Sequence, residues 1–277
     1  MSDTSPGPIG IFDSGYGGLT VFRKIERLLP NYDFIYLGDN ARAPYGPRGF
    51  ETIYEYTLQA VQELFSRGCQ LVILACNTSS ARALRNIQQI DLPKGPEHRR
   101  VLGIIRPTTE LIGNLSKSKH VGILATEGTV KSESYPIEIA KFFPRLEVSQ
   151  QACPMWVPLI ENGEHESEGA DYFVKKYLEQ LIEKDPMIDT ILLGCTHYPL
   201  LLKKINEDLP AMIKIVRQGE LVATSLQDYL SRHPELASIC SKKGSRQFYT
   251  TGDPEIFSNK AKQFIGKEIS VDRLVLS

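Results

Sequence analysis

LVILACNTSS (71–80) and TILLGCTHYP (190–199) each run an unbroken apolar stretch into a cysteine that is followed by small polar residues. Short continuous runs rich in Val, Ile and Leu that end in Asn, Thr or Ser read as buried strands of a parallel sheet, opening into a loop at the carboxyl end. Open α/β sheets place their ligands at such strand ends. Cys76 and Cys195 therefore stand where a small molecule would bind, one from each half of the chain, each closely followed by a threonine, Thr78 or Thr196.

Outward from these two strands, strand, turn and helix alternate. IGIFDSGYGGLTVFRKIERLL reads as a strand at 8–13, a Ser/Gly turn and a helix with Leu19, Phe22, Ile25, Leu28 and Leu29 at helical spacing. DFIYLGD (33–39) is a second strand, and the Gly/Pro-rich loop ARAPYGPRG precedes a helix that begins near Phe50 and carries Ile53, Tyr56, Leu58, Val61 and Leu64. After the polar loop KGPEHRR (94–100) the pattern restarts with VLGII, a helix near 107–115 and the strand HVGILAT (120–126). The alternation predicts βα units and mainly parallel sheets, an α/β fold.

IGIFDSG resembles VGILATEGT, and LVILACNT resembles TILLGCTHY, in the same order. Two readings stand: two similar α/β halves sharing a cleft, or the general likeness of buried parallel strands. The tail, QGELVATSLQDYL and RQFYTTGD, holds a helix and a strand that return to the first half. The expected division is a discontinuous first domain, 1–102 plus 217–277, and a second domain, 103–216.

With 277 residues the chain can bury a substantial core, and 32 basic against 33 acidic residues create no field that would draw nucleic acid or an anionic membrane. There is no apolar stretch of bilayer length and MSDTSPGP lacks a signal region, so the cytoplasm is the expected compartment. Five cysteines with no CxxC pair read as reduced thiols, and Cys195-Thr196-His197 is the only close Cys/His pair, so no metal is expected.

A thiol works as an acid/base when its pKa is brought toward neutrality by positive charge or a helix N-terminus. Cys76 precedes SSARALRNI and Cys195 precedes YPLLLKKI, both expected helices whose dipole favours thiolate. The bland alternative, a small buried hydrophobe, is accepted for Cys69, Cys153 and Cys240. In DSGYGGL (13–19) the glycines do not fit GxGxxG and a carboxylate would repel a pyrophosphate. Asp13 is thus read as a proton-handling group or a partner for a substrate ammonium, against the ordinary alternative of a turn and helix cap. His197 could polarise a carboxylate ligand or the Cys195 thiol, or be simply structural.

Taken together, IGIFDSGYGGL, YLGDNARAPYG, ACNTSSA, ACPMWVPLIE and LLGCTHYPLL resemble, in that order, the motifs of glutamate racemase, within the aspartate/glutamate racemase superfamily. The resemblance spans most of the chain. It implies two similar three-layer α/β domains related by a pseudo-twofold axis with the active site in the cleft between them, and cofactor-independent interconversion of L- and D-glutamate for peptidoglycan. It implies that Cys76 and Cys195 are the two acid/base residues, Cys76 acting on D-glutamate and Cys195 on L-glutamate. Asp13 would assist the first thiol, and Glu161 and His197 the second. Ser14, Tyr45, Gly46, Asn77, Thr78 and Thr196 match substrate contacts, with Thr126 and Thr129 as further ones. Family members are often dimers, so a homodimer is left open. GIIRPTTELI (103–112) and RQGELVAT (217–224) depart from the common pattern. The rivals are a two-thiol racemase of another acidic amino acid, such as aspartate, and a catalytically silent binding protein.

Overall fold

The computed structural model describes residues 5–276, and two wholly parallel sheets organise them. The first contains β1 (Ile9–Asp13), β2 (Phe34–Gly38), β3 (Leu71–Leu74), β4 (Arg100–Gly103) and, from the end of the chain, β9 (Arg246–Thr250) and β10 (Asp272–Arg273). The second contains β5 (His120–Ala125), β6 (Glu147–Ala152), β7 (Thr190–Gly194) and β8 (Lys214–Val216). The spatial orders are β10-β9-β2-β1-β3-β4 and β6-β5-β7-β8. The core order of the first sheet, second-first-third-fourth, is thus repeated in the other. This common topology is a stronger likeness than any two buried strands share by composition.

Parallel strands need crossover helices, and these cover both faces. In the first sheet they are α1 (Leu19–Leu28), α2 (Phe50–Ser66), α3 (Asn77–Arg82) and the short α4 (Leu84–Asn86). In chain order the chain then passes to the second sheet through α5 (Ile105–Leu115), which is followed there by α6 (Glu127–Lys131), α7 (Ser134–Phe142), α8 (Trp156–Glu161), α9 (Glu168–Lys184) and α10 (Leu202–Asp208). It returns through α11 (Gln218–Arg232) and α12 (Pro234–Ser238), and α13 (Pro254–Ile265) lies between β9 and β10. Among the described residues no helix is long and apolar enough to cross a membrane.

Residues alternate across each strand, so β1 sends Ile9 and Ile11 into one hydrophobic cluster and Phe12 into another. The first of these clusters joins the two sheets: Phe22 and Tyr36 belong to it together with Trp156, Leu193 and Tyr198. Trp156 and Tyr198 meet edge to face with centroids 4.7 Å apart. The outer faces are filled separately, by Val72, Leu74 and Leu64 on one sheet and by Val121, Ile123 and Ile139 on the other.

Several local expectations shift. The helix expected at 107–115 begins at Ile105, because Pro107 sits in the first turn, where its missing N–H leaves no helical bond unmade. In α2 the buried face is Ile53, Thr57, Ala60, Val61, Leu64 and Phe65, while Tyr56 and Leu58 are half-buried. The segment after Cys195 is not an α-helix at once. A turn closed by Tyr198 N–H to the Cys195 carbonyl (3.3 Å) leads into a 3₁₀ segment, Tyr198–Leu201, with Pro199 near its start.

The returning chain is fastened to β2 by a buried carboxylate. Asp33 Oδ1 accepts from Lys243 N (3.1 Å), Ser245 N (2.7 Å) and Ser245 Oγ (2.8 Å). Burial works against this charge, but hydrogen bonds from Ser241, Ser245 and Lys243 outweigh it and hold the Asp33 pKa below the usual carboxylate value. Such a group stabilises the fold fully above the unfolded pKa of about 3.9 and loses that contribution as pH falls through its lower native value. Asp33→Ala should therefore cost ~2 kcal/mol in urea unfolding at neutral pH. The gap between variant and wild type should close on acidification.

Candidate active site

Both sheets turn their strand order about a central pair, β1/β3 in one and β5/β7 in the other. Crossovers leave such a pair toward opposite faces, which opens a crevice at its carboxyl ends. Asp13 ends β1, Cys76 follows β3, Thr126 follows β5 and Cys195 follows β7. All four line one cavity of about 90 Å³. Ser14, Tyr45, Gly46, Asn77, Thr78, Glu161, Thr196 and His197 line it too, so twelve of the thirteen expected site residues meet there. The thirteenth, Thr129, is fully buried behind the wall, where its hydroxyl accepts from Thr126 Oγ1 at 3.1 Å.

The two thiols have different surroundings. Cys76 is the N-cap of α3, its sulfur accepting from Ser79 N at 3.4 Å and lying 3.4 Å from Ser14 Oγ. Burial, reinforced by the nearby Asp13 charge, raises the Cys76 pKa, with the contacts to Ser14 and Ser79 acting the other way. Asp13 Oδ1 accepts from Gly15 N at 2.9 Å, while Oδ2 is buried with no protein partner. Burial also raises the Asp13 pKa, against the pull of His197.

Around Cys195 the electrostatics are reversed. His197 Nδ1 lies 3.9 Å from the Cys195 sulfur and Nε2 lies 3.0 Å from Glu161 Oε1. Burial alone would discharge the imidazole, but its bonds to Cys195 and Glu161 prevail and lift its pKa well above the ordinary histidine value. Glu161 ends α8, its carbonyl held by Lys260 of α13, and Phe264 of the same helix packs edge-on against His197 at 5.7 Å.

Contacts from both sheets hold the cleft shut around these groups. A Cβ on Gly17 would stand 2.5 Å from Thr196 Oγ1 and 2.3 Å from His197 Nδ1, so only glycine allows this approach. Thr20 Oγ1 donates to the Thr196 carbonyl (2.9 Å), Gly128 N to the Gly46 carbonyl (2.9 Å), and Thr78 Oγ1 meets Thr126 Oγ1 at 2.9 Å. Tyr45 is aimed by its hydroxyl bond to the fully buried Asp39, which also accepts from Arg42 Nε and Thr251 Oγ1 at 2.7 Å each.

The sequence reading missed part of the wall. Pro44, Pro47, Pro154, Val157 and Pro158 give it a stiff apolar side. Cys153, taken as a small buried hydrophobe, is buried but also lines the cavity. Burial pushes its pKa well up, and its sulfur donates to the Gln151 carbonyl at 3.6 Å, so it keeps its proton and stays uncharged. The signal available was the Pro-rich spacing of APYGP and CPMWVP, the first read as a loop and both as parts of the resembling motifs, without a role for their prolines. Among the described residues no lysine or arginine lines the cavity, so a ligand carboxylate would meet hydroxyl, amide and backbone donors.

Comparison with known proteins gives the same picture along the whole chain. A glutamate racemase of Dinoroseobacter shibae is 42% identical over 94% of this chain and 96% of its own length. The crystal structure of glutamate racemase isoform RacE1 from Bacillus anthracis superposes with a TM-score of 0.88 at 33% identity, covering 98% of each chain. That of glutamate racemase from Francisella tularensis in complex with D-glutamate gives 0.86 at 31% identity, with the same coverage. The family model for Asp/Glu/hydantoin racemases matches residues 9–222, from the strand that ends in Asp13 to the helix that returns to the first sheet, and the chain belongs to that family.

Proposed function

We propose that this enzyme interconverts L- and D-glutamate without a cofactor, by proton transfer at the α-carbon between two thiols, and that its two sheets mark the two domains expected at 1–102 plus 217–277 and 103–216. The observation that carries the reading is the presence in one small cleft of Cys76 and Cys195, one from each sheet, each just beyond its strand.

Losing the α-proton leaves a planar carbanion, and a single base would return a proton to the face it left. Inversion takes a thiolate on one face and a thiol on the other. A protonated His197, held by Glu161, favours the thiolate of Cys195. Burial and Asp13 favour the neutral thiol of Cys76. In this state Cys195 removes the proton from L-glutamate and Cys76 delivers one to the opposite face, giving D-glutamate. The thiols then hold exchanged protonation states and serve the reverse reaction. Charge that grows on the α-carboxylate is met by fixed donors in a cleft walled by prolines. Ser14, Asn77, Thr78 and Thr196 are the proposed source of these donors, with Tyr45, Gly46 and Thr126 shaping the mouth and Thr129 supporting Thr126. The unpartnered Oδ2 of Asp13 is a ready acceptor for the substrate ammonium. D-glutamate made in the cytoplasm would feed peptidoglycan synthesis.

The decisive test incubates the protein with L-glutamate in D₂O, following circular dichroism and α-deuterium. The signal should decay as deuterium enters, and Cys76→Ala and Cys195→Ala should each lose racemisation by about 10³-fold or more. An inert protein that accepts aspartate would move the substrate, and one inert to both would sink the catalytic reading.

The unequal thiols give a directional pH effect. Glu161 helps keep His197 charged, so Glu161→Gln should shift the alkaline limb of kcat/KM for L-glutamate to lower pH. An unmoved limb would exclude the imidazolium from the Cys195 side.

A further inference from the structure

Gln218 opens α11, and its buried side chain lies where both passages between the sheets meet. Oε1 accepts from Asn77 Nδ2 at 2.7 Å, and Nε2 faces Tyr135 Oη at 2.7 Å, the Ile104 carbonyl at 3.2 Å and Thr108 Oγ1 at 3.2 Å. Tyr135 in turn donates to Asn77 Oδ1 at 2.6 Å. Asn77, Gln218 and Tyr135 thus close a ring in which each donates to the next. Asn77 comes from the first sheet's α3, Tyr135 from the second sheet's α7, and Ile104 and Gln218 from the outgoing and returning passages.

The ring could in principle run either way, with both amides turned over. Ile104 decides the direction. Its carbonyl is only an acceptor, and a reversed Gln218 would set Oε1 against it at 3.2 Å in a buried site, two acceptor oxygens with no proton between them, whereas the hydroxyls of Tyr135 and Thr108 can serve either way. Once Gln218 is fixed, Asn77 must present Nδ2 to it and Oδ1 to Tyr135. One N–H of Asn77 is left unused by these bonds, on a residue that lines the cleft beside Cys76.

We propose that Gln218 is a positioning residue, which fixes the orientation of the Asn77 amide in the cleft and couples it to the two passages between the sheets. The kinetic consequence rests on the reading of Asn77 as a substrate contact; the orientation itself does not.

The test uses Gln218→Met, similar in volume but without the amide, with thermal unfolding to verify that it folds. In ¹⁵N-labelled protein the side-chain amide pair of Asn77, assigned by its loss in Asn77→Ala, should be dispersed and slow to exchange. Gln218→Met should move it toward a free amide and speed its exchange. Tyr135→Phe, which leaves the bond to Gln218 in place, should keep it protected, and this variant decides the matter should Gln218→Met not fold. For glutamate, Gln218→Met should lower kcat/KM about tenfold, chiefly through KM, and should add little in an Asn77→Ala background. An unchanged amide in Gln218→Met, loss of protection in Tyr135→Phe, or rate losses that multiply with those of Asn77→Ala would each overturn the proposal. A protein inert toward glutamate whose Asn77 amide still responds to Gln218→Met would fail the substrate reading and leave the positioning role standing.

Discussion

The geometry of a parallel sheet that reverses its strand order at one point is the constraint on which everything else in the molecule rests. Helices that leave neighbouring strands toward opposite faces cannot close over the gap between them, so the carboxyl ends of β1 and β3, and again of β5 and β7, stay open. One such crevice would be shallow and wet. Two, brought together by a hydrophobic cluster that runs from Phe22 and Tyr36 to Trp156 and Tyr198, make a cleft in which strand ends and helix starts from both sheets face one another. The chain achieves this by crossing between the sheets and returning, and the return is what lets α13 reach Glu161 and His197 with Lys260 and Phe264.

Within that frame two identical side chains acquire different chemistry from their neighbours. Cys76 sits by a buried carboxylate whose own pKa is raised, and Cys195 by an imidazole whose pKa is raised through a second carboxylate. Desolvation magnifies both effects, because charges in a closed cleft interact more strongly than in water. Cys153 marks the limit of this argument. It shares the cavity, but burial and the neighbouring Cys195 outweigh the help that its anion gets from the backbone at Ala125 and from Lys184, so a third thiol can line the site without becoming a third base.

Much of this was legible in the sequence because strands buried on both faces leave an unbroken apolar signature, and the residues just after them are the ones a parallel sheet exposes to a ligand. LVILAC and TILLGC pointed to the two thiols in this way. Other features depend on tertiary partners and leave no local trace. Gln218 looks like an ordinary polar residue at a helix start, and only the convergence of Asn77, Tyr135 and Ile104 gives its amide a task. The helix expected directly after Cys195 was misjudged because apolar periodicity in YPLLLKKI outweighed the proline that keeps its first turn tight. Thr129 was carried over from the family resemblance as a further contact, and in the fold it stands behind Thr126.

The lack of lysine and arginine in the cleft wall follows from the chemistry proposed for it. A substrate with two carboxylates would be bound tightly by cations, but a cation near both thiols would favour both thiolates, and a site holding two thiolates has no proton to give. It would also stabilise the bound ground state as much as the transition state, which lowers KM without raising kcat. Neutral donors avoid both difficulties: they strengthen as charge grows on the carboxylate and leave the protonation of each thiol to its own neighbours. Their weakness is that a neutral dipole must be held in one orientation to be of use, since a turned amide offers a lone pair in place of a proton. A cleft that meets its ligand's carboxylates without lysine or arginine therefore needs its amides oriented from behind, and the ring of Gln218, Tyr135 and Asn77 supplies that orientation from the junction of the two sheets.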